Sequence, residues 1–212
     1  MQYKIVISGP SGAGKGTLIN LLLNNYNNFV KSVSCTTRNK RVGEKDSEDY
    51  FFVSKENFID LINKNSFFET VIYDDNFYGI LNEYLNIFDK DVLFDVVVDS
   101  GLNIKSKFPN NTILIYILPK DLEILNVQRG NRGENRLYIG LNEIENAKKY
   151  EYIIINDSPE SMLEQFKKIY SVVCNNTIKS KYDFLNSFYN KEQIYRVRKW
   201  DDINEEKNDC CQ

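Results

Sequence analysis

The sequence predicts an α/β fold in which helices flank a parallel sheet core, and three observations support this prediction. Four apolar runs have the length of buried parallel strands, at Lys4 to Ser8, Asp91 to Val98, Thr112 to Leu118 and Tyr152 to Asn156. Helical patterns lie between these runs, and such alternation is typical of a parallel sheet. A glycine-rich segment directly follows the first run. The length of 212 residues allows one such domain with a modest appendage.

The first loop of the predicted fold is rich in glycine. It comprises Gly9, Pro10, Ser11, Gly12, Ala13, Gly14, Lys15, Gly16 and Thr17, and it holds four of the ten glycines of the chain. Backbone N–H groups converge on a phosphate where φ is unusual, and glycine adopts such angles without a steric penalty. The start of the next helix favours negative charge, and Lys15 can reach the β- and γ-phosphates of a nucleotide. We therefore expect a polyphosphate to bind to these nine residues.

One position departs from the strict phosphate-loop pattern. That pattern places a hydroxyl directly after the lysine, whereas here Gly16 follows Lys15 and Thr17 comes one position later. The Gly-Lys-Gly-Thr variant resembles that of nucleoside monophosphate kinases. This resemblance implies that Thr17 lies near a metal ion.

Between the first predicted helix and Asp91, the long apolar runs give way to short ones. Short β-prone pieces occur at Val30 to Cys35, Tyr50 to Val53 and Phe67 to Tyr73. Ser54 is the predicted N-cap of a helix, which carries Phe58, Leu61 and Ile62 on one face. We predict that residues 34–90 form a small substrate-binding lobe over the carboxyl edge of the main sheet, where ligands of open α/β sheets bind.

The C-terminal part begins with an amphipathic pattern. A helix is predicted over residues 158–172, starting at Ser158-Pro159-Glu160, with Met162, Phe166 and Ile169 on one face. Residues 173–212 form a predicted extension that is rich in aromatic side chains, including Trp200. We expect this extension to offer a surface to a protein partner, and its polar end, residues 201–212, to be disordered.

Composition limits the classes of partner. The net charge of −3 and the pI near 5.2 argue against nucleic-acid binding, which depends on many Lys and Arg residues. No apolar run approaches the roughly 18 residues of a membrane span. The four cysteines have neither metal-ligand spacing nor a disulfide framework, so we interpret them as reduced thiols. We expect a cytoplasmic protein that binds neither nucleic acid nor membrane; no oligomeric state is predicted.

The chain contains no histidine. Its absence removes the usual general base near neutral pH, and with it every serine–histidine or cysteine–histidine nucleophile. Phosphoryl transfer relies on positioning and on cationic charge more than on proton abstraction. Such a reaction therefore suits this composition.

Several motifs follow the phosphate loop in a fixed order. Ser34 precedes Thr36-Thr37-Arg38-Asn39-Lys40-Arg41-Val42-Gly43-Glu44, and then come Asp49-Tyr50-Phe51-Phe52-Val53, Phe68-Glu69 and Asn76-Phe77-Tyr78-Gly79. Their order and spacing resemble the guanylate kinase family over about residues 3 to 170. The resemblance implies a P-loop nucleoside monophosphate kinase fold with a guanylate kinase-like domain at 1–172, a lobe that binds GMP, and a short lid at about 128–140.

The resemblance also implies a role for each acceptor residue. Arg38 and Arg41 would hold the phosphate of GMP, since the planar guanidinium matches phosphate oxygens. The hydroxyls of Tyr50 and Tyr78 would join them, next to Gly79. Glu69 would accept from guanine N1–H and the 2-amino group, and Ser34 would donate within the same pocket.

The remaining implied roles concern the transferred phosphoryl group. Asp95 ends a strand-like run at the sheet edge, where it would orient Mg²⁺ or its waters together with Thr17. Arg132 and Arg136 match lid arginines, and with Lys15 they would stabilise charge during transfer. The implied activity is ATP-dependent phosphorylation of GMP and dGMP, in purine nucleotide metabolism.

Four departures from the family pattern bear on activity. Ile80 replaces a hydroxyl residue that touches the base, and Val97 replaces an aspartate that faces the guanine amino group; each lost contact costs about 1 to 3 kcal/mol. The lid is shorter between Gly133 and Arg136, and Gln128 stands where another arginine is expected. Two alternatives remain open: a nucleotide- or protein-binding module with little catalysis, and a kinase with altered base specificity.

Overall fold

The computed structural model describes residues 2–120 and 145–175. The chain divides into two compact units, Met1–Leu163 and Glu164–Gln212. The strands are β1 (Lys4–Ser8), β2 (Phe29–Lys31), β3 (Ser34–Thr36), β4 (Tyr50–Phe52), β5 (Phe67–Tyr73), β6 (Asn76–Leu81), β7 (Asp91–Asp95), β8 (Thr112–Pro119) and β9 (Tyr152–Asn156). The helices are α1 (Lys15–Asn25), α2 (Lys55–Asn63), α3 (Asn82–Leu85), α4 (Val98–Lys107) and α5 (Pro159–Asn175).

The main sheet consists of five parallel strands in the order β2-β7-β1-β8-β9. Strand β1 is central, pairs with β7 and β8, and is buried along its whole length. Strands covered on both faces need continuous apolar sequence, and Ile5, Val6 and Ile7 provide it. The predicted parallel sheet flanked by helices is confirmed, and β1 and β9 have the predicted bounds.

Several predicted strands have other limits: β8 extends one residue further, to Pro119, and β4 ends one residue earlier, at Phe52. The run at Asp91 to Val98 is too long, because β7 ends at Asp95 and Val97 caps α4. The carbonyl of Val96 accepts from the Ser8 hydroxyl rather than from a neighbouring strand. The piece at Val30 to Cys35 is also not one strand, since β2 lies in the main sheet and β3 in the second sheet. Hydrophobicity alone does not mark where a chain changes sheets.

A second, mixed sheet has the strand order β4-β3-β6-β5 and lies within the range predicted for the inserted lobe. Strand β3 runs parallel to β4 and antiparallel to β6, and β5 and β6 form an antiparallel pair. Strands β4 and β5 contain no buried residue, so this sheet offers accessible side chains to a ligand.

Helix α2 packs on the small sheet through one aromatic side chain. The Ser54 hydroxyl accepts a hydrogen bond from the Asn57 N–H at 3.2 Å, which confirms the predicted cap. Phe58 is fully buried and stacks on Phe67 and Phe77, with ring centroids 4.6 and 5.5 Å apart. Ile62, predicted on the same face, is 42 % exposed, because it lies in the last turn of this short helix.

Helix α5 begins one residue after Ser158 and ends at Asn175, three residues beyond the predicted end. Its predicted apolar residues Met162, Phe166 and Ile169 are all buried. Among the described cysteines, Cys35 is buried and Cys174 is exposed. The predicted lid at 128–140, with Gln128, Arg132 and Arg136, lies outside the described residues, as does the extension from residue 176 onwards. The domain boundary at residue 172 therefore stays a prediction.

Candidate functional site

A cleft of about 670 Å³ opens where the carboxyl ends of β1 and β7 face the small sheet. Ligands of open parallel sheets bind at this edge. The cleft brings together twelve predicted site residues: Gly9, Pro10, Ser11, Lys15, Ser34, Arg38, Arg41, Tyr50, Glu69, Tyr78, Gly79 and Asp95. The other predicted loop residues, Gly12, Ala13, Gly14, Gly16 and Thr17, continue from its rim into α1.

The loop between β1 and α1 requires glycine at particular positions. Gly9, Gly12 and Gly14 have φ angles of 149, 81 and 100°. A Cβ atom at Gly9 would overlap the carbonyl oxygen of Ile117. The backbone therefore wraps tightly here, and α1 starts at Lys15 with its first N–H groups available to an anion.

Lys15 and Asn156 hold this loop in place. The Lys15 ammonium donates to the carbonyls of Gly9 and Pro10, at 2.8 and 3.2 Å. The Asn156 amide, at the end of β9, donates to the Ala13 carbonyl at 2.9 Å. Sequence reasoning missed Asn156, which appeared only as the last residue of an apolar run.

Arg38 forms an ion pair with Glu44. Its two terminal nitrogens lie 2.7 and 3.1 Å from the two Glu44 oxygens, and the Arg41 N–H donates to Glu44 at 2.7 Å. This hydrogen-bonded pair raises the pKa of Arg38 and lowers that of Glu44. Glu44 thus anchors both arginines of the motif, a role that sequence reasoning did not assign to it, and the Arg41 side chain remains exposed.

Aromatic rings surround the Arg38 guanidinium. Its central carbon lies 5.5 Å from the Tyr50 ring centroid and 5.7 Å from that of Phe52. Tyr50 and Tyr78 meet edge to face at 6.0 Å. Burial, followed by the nearby charge of Asp95, raises the pKa of Tyr50, so its hydroxyl stays protonated and able to donate.

Glu69 points from β5 towards α4. One carboxylate oxygen accepts from the Ser100 hydroxyl at 2.8 Å, and the other accepts from the Asn103 amide at 3.2 Å. On the neighbouring strand β6, a Cβ atom at Gly79 would lie 2.5 Å from the Phe67 ring. Close packing of β6 on this ring therefore requires glycine at position 79. Sequence reasoning missed both donors, because nothing in the chain connects residues 100 and 103 to residue 69.

Asp95 is the last residue of β7 and lies at the edge of the sheet where the sequence predicts it. Its side chain opens into the cleft, where water reaches it, yet the walls of the cleft surround it. The resulting desolvation raises its pKa, and the charges of Lys15 and Lys31 oppose this effect. A carboxylate so placed offers hard oxygen ligands beside the loop.

A buried chain of hydrogen bonds links the Tyr150 hydroxyl, the Ser8 hydroxyl and the Val96 carbonyl. The Ser8 hydroxyl donates to the Val96 carbonyl at 2.6 Å, and the Tyr150 hydroxyl lies 2.7 Å from the Ser8 oxygen. Since the Ser8 hydrogen is used, Tyr150 is the donor to Ser8. Burial raises the pKa of Tyr150 to about 12. The chain fixes the start of the loop relative to the β7–α4 connection, and nothing in the sequence linked Ser8 to Tyr150.

Apolar side chains line the cleft near Glu69. Ile80 is 6 % exposed and belongs to the core, whereas Val97 is 63 % exposed and faces the cleft. Among residues 2–120 and 145–175, no group of three or more His, Cys, Asp or Glu side chains is arranged to hold a metal ion. The cleft thus combines an anion-binding loop, an arginine–tyrosine cluster and one hydrogen-bonded carboxylate.

Comparison with known proteins gives consistent results. The family model for guanylate kinase matches residues 1–172. The guanylate kinase of Lactococcus lactis is 37 % identical over 175 residues, which cover 78 % of this chain and 85 % of that protein. That of Rickettsia prowazekii is 38 % identical over 179 residues, covering 80 % and 89 %. The crystal structure of guanylate kinase from Anaplasma phagocytophilum is 28 % identical, with a TM-score of 0.65 over 88 % of this chain and 95 % of that one. No helix in the described residues is long and apolar enough to cross a membrane.

Proposed function

The chain belongs to the guanylate kinase family, and on this basis we propose that its cleft transfers the γ-phosphoryl group of ATP to GMP or dGMP. The chain is thus a nucleoside monophosphate kinase. The observation that carries the proposal is that one cleft contains both the phosphate loop with Lys15 and the acceptor cluster of Arg38, Tyr50 and Glu69. A cytoplasmic location, where both nucleotides occur, is part of the proposal.

The donor nucleotide binds to Gly9 through Thr17. Positive φ angles at three glycines and the free N–H groups of the first turn of α1 support this role. Lys15 exchanges its bonds to the carbonyls of Gly9 and Pro10 for contacts to phosphate oxygens. The ammonium then neutralises charge on the β- and γ-phosphates.

The acceptor nucleotide binds between the small sheet and α4. Arg38, which Glu44 holds in place, and the exposed Arg41 bind its phosphate together with the hydroxyls of Tyr50 and Tyr78. Glu69 accepts from the base, and Ser34 and Gly79 complete the pocket. The Arg38 side chain is mostly buried, so salt screens its charge less than that of a surface arginine, and Glu44 keeps the guanidinium in position.

Mg²⁺ accompanies ATP in this proposal. The residues present fit the ion, since Asp95 and the exposed Thr17 hydroxyl supply oxygen ligands, and Mg²⁺ usually takes one or two carboxylates together with phosphates and waters. When bound, the ion neutralises charge on the phosphates.

The reaction needs no covalent intermediate and no strong base. A phosphate oxygen of GMP attacks the γ-phosphorus in line, the bond to the β-phosphate oxygen breaks, and GDP and ADP form. The contribution of the protein is to hold two anions in contact and to neutralise them. Arg132 and Arg136 are part of this proposal as the cations that reach the transferred group.

A kinase with a different base preference is the second candidate. The apolar surface at Ile80 and Val97 favours it, because neither side chain hydrogen-bonds to a base. A binding module without turnover is the third; it gives no reason for the preserved Lys15.

One assay tests these candidates. ADP release is measured with ATP, Mg²⁺ and each of GMP, dGMP, AMP, CMP and UMP. We expect GMP-dependent turnover that Lys15→Ala reduces at least about 100-fold, since it removes transition-state charge stabilisation. Lys55→Ala, at an exposed lysine that starts α2, is the matched control and retains activity. Absence of Lys15-dependent turnover with any acceptor would refute the proposal.

A further inference from the structure

The carboxylate of Glu69 has no ion-pair partner in the described part of the chain, and its partners are the neutral donors Ser100 and Asn103. The other acidic side chains of the cleft have different surroundings. Glu44 is paired with Arg38, Asp95 lies near Lys15 and Lys31, and the charge of Asp99 acts on Tyr150. An ionised carboxylate has about four acceptor sites, so each Glu69 oxygen retains one for a ligand N–H group.

Val97 lines the same cleft as this carboxylate. It is the N-cap residue of α4, and Ser100 is three residues further along, so the two side chains are neighbours on the first turn. Ser100 in turn bonds Glu69. Val71 and Ile80 line the cleft with Val97, and none of these three side chains can hydrogen-bond to a ligand. A ligand that hydrogen-bonds to Glu69 therefore contacts a charged acceptor on one side and apolar side chains on the other.

We propose that the acceptor site reads the N1–H edge of the base through Glu69 alone, and that it therefore phosphorylates IMP as well as GMP. This inference rests on the proposed function, since it concerns the same acceptor site. Hypoxanthine and guanine share the N1–H donor, and they differ only in the 2-amino group. Adenine has an unprotonated N1, whose lone pair would face the carboxylate, so AMP is rejected.

The size of the discrimination follows from two opposed effects. One amino N–H donates to Glu69, and a hydrogen bond to a charged acceptor improves binding by about 10- to 150-fold. The other amino N–H faces Val97 without a partner, which weakens binding by about 5- to 150-fold. These effects largely cancel. We expect kcat/KM for GMP to exceed that for IMP by no more than about 30-fold.

The test compares kcat/KM for GMP, IMP and AMP in the wild-type chain and in Val97→Asp. The aspartate supplies an acceptor for the second amino hydrogen, so the GMP-to-IMP ratio should rise at least about 5-fold. Val97→Leu keeps the apolar surface and should leave the ratio unchanged. Position 97 is exposed and is an N-cap, where aspartate is favoured, so the variant is expected to fold.

Each outcome decides the proposal. A wild-type ratio of about 30 or less, which rises in Val97→Asp only, supports it. A larger wild-type ratio overturns it, and so does a ratio that Val97→Asp leaves unchanged. Normal GMP turnover with no IMP turnover refutes this inference alone, whereas no turnover with any acceptor refutes the proposed function itself.

Discussion

Removal of the Tyr150 hydroxyl should destabilise the protein measurably, because this group joins two loops inside the core. Tyr150→Phe keeps the ring, which packs edge to face on Tyr116 at 5.5 Å. It deletes the 2.7 Å bond to Ser8 and a longer contact of 3.3 Å to the Val98 carbonyl. Tyr150 is 2 % exposed and Ser8 is fully buried, so water does not replace the lost donor.

The expected loss follows from these contacts. A buried acceptor left without its donor costs about 1 to 3 kcal/mol, and the weak second contact adds little. For a chain of this size, the melting temperature should fall by about 2 to 12 °C. Urea unfolding monitored by circular dichroism measures the loss directly. Tyr26→Phe is the control, because the Tyr26 ring packs on Phe29 and its hydroxyl has no hydrogen-bond partner in the described part of the chain.

A double-mutant cycle with Ser8→Ala separates the bond from other effects. Each single variant leaves one buried polar group with fewer partners, whereas the double variant removes both groups. The double loss should therefore be smaller than the sum of the single losses, by about 1 kcal/mol. Additive losses, or a Tyr150→Phe variant as stable as Tyr26→Phe, would show that this bond does not stabilise the fold.

Three further predictions concern other contacts. Ser100→Ala should raise KM for GMP about 5- to 10-fold, because Glu69 loses one hydrogen-bond donor, and should leave KM for ATP and kcat unchanged. Steady-state kinetics measures these constants, and a joint rise of both KM values would contradict the prediction. Gly79→Ala should destabilise by about 1 to 3 kcal/mol in thermal melts, because its Cβ meets the Phe67 ring, and Gly16→Ala, where a Cβ has open space, should cost far less. The contribution of Tyr150 to the free energy of unfolding should be fully present below pH 10 and be lost as the pH rises from 10 to about 12, because its pKa in the folded state is raised above its unfolded value. Urea unfolding of Tyr150→Phe at the same pH values should lack this part of the decline.

Local signals in the sequence were sufficient for most of the fold. Continuous apolar runs predicted β1 and β9, and the structure confirms the first and last residue of both strands. Ser54 predicted the start of α2. The end of β7 was wrong, because Val96 to Val98 are as apolar as the strand before them. Their backbone instead bonds to Ser8 and begins a helix. Residue composition does not indicate from which donor a backbone carbonyl accepts its hydrogen bond.

The candidate site also contains residues that the sequence predicts and residues that only the structure identifies. The glycines of the loop and the arginine–tyrosine motif carry their chemistry in residue type and spacing, so their convergence on one cleft could be expected. Ser100 and Asn156 act on residues of distant elements, whereas Glu44 contacts Arg38, six residues away in the same loop. Asn156 lies 143 residues from Ala13 along the chain, and no periodic pattern connects them.

The sequence by itself determined most of the strands of the main sheet, the phosphate loop and the family, because periodicity, glycine placement and motif spacing are local properties of a chain. Only the tertiary structure decided which distant residues hold those motifs in place: Asn156 on Ala13, Ser100 on Glu69, and Tyr150 on Ser8. A hydrogen bond between distant residues depends on distance and direction in space, and these exist only once the two sheets have packed.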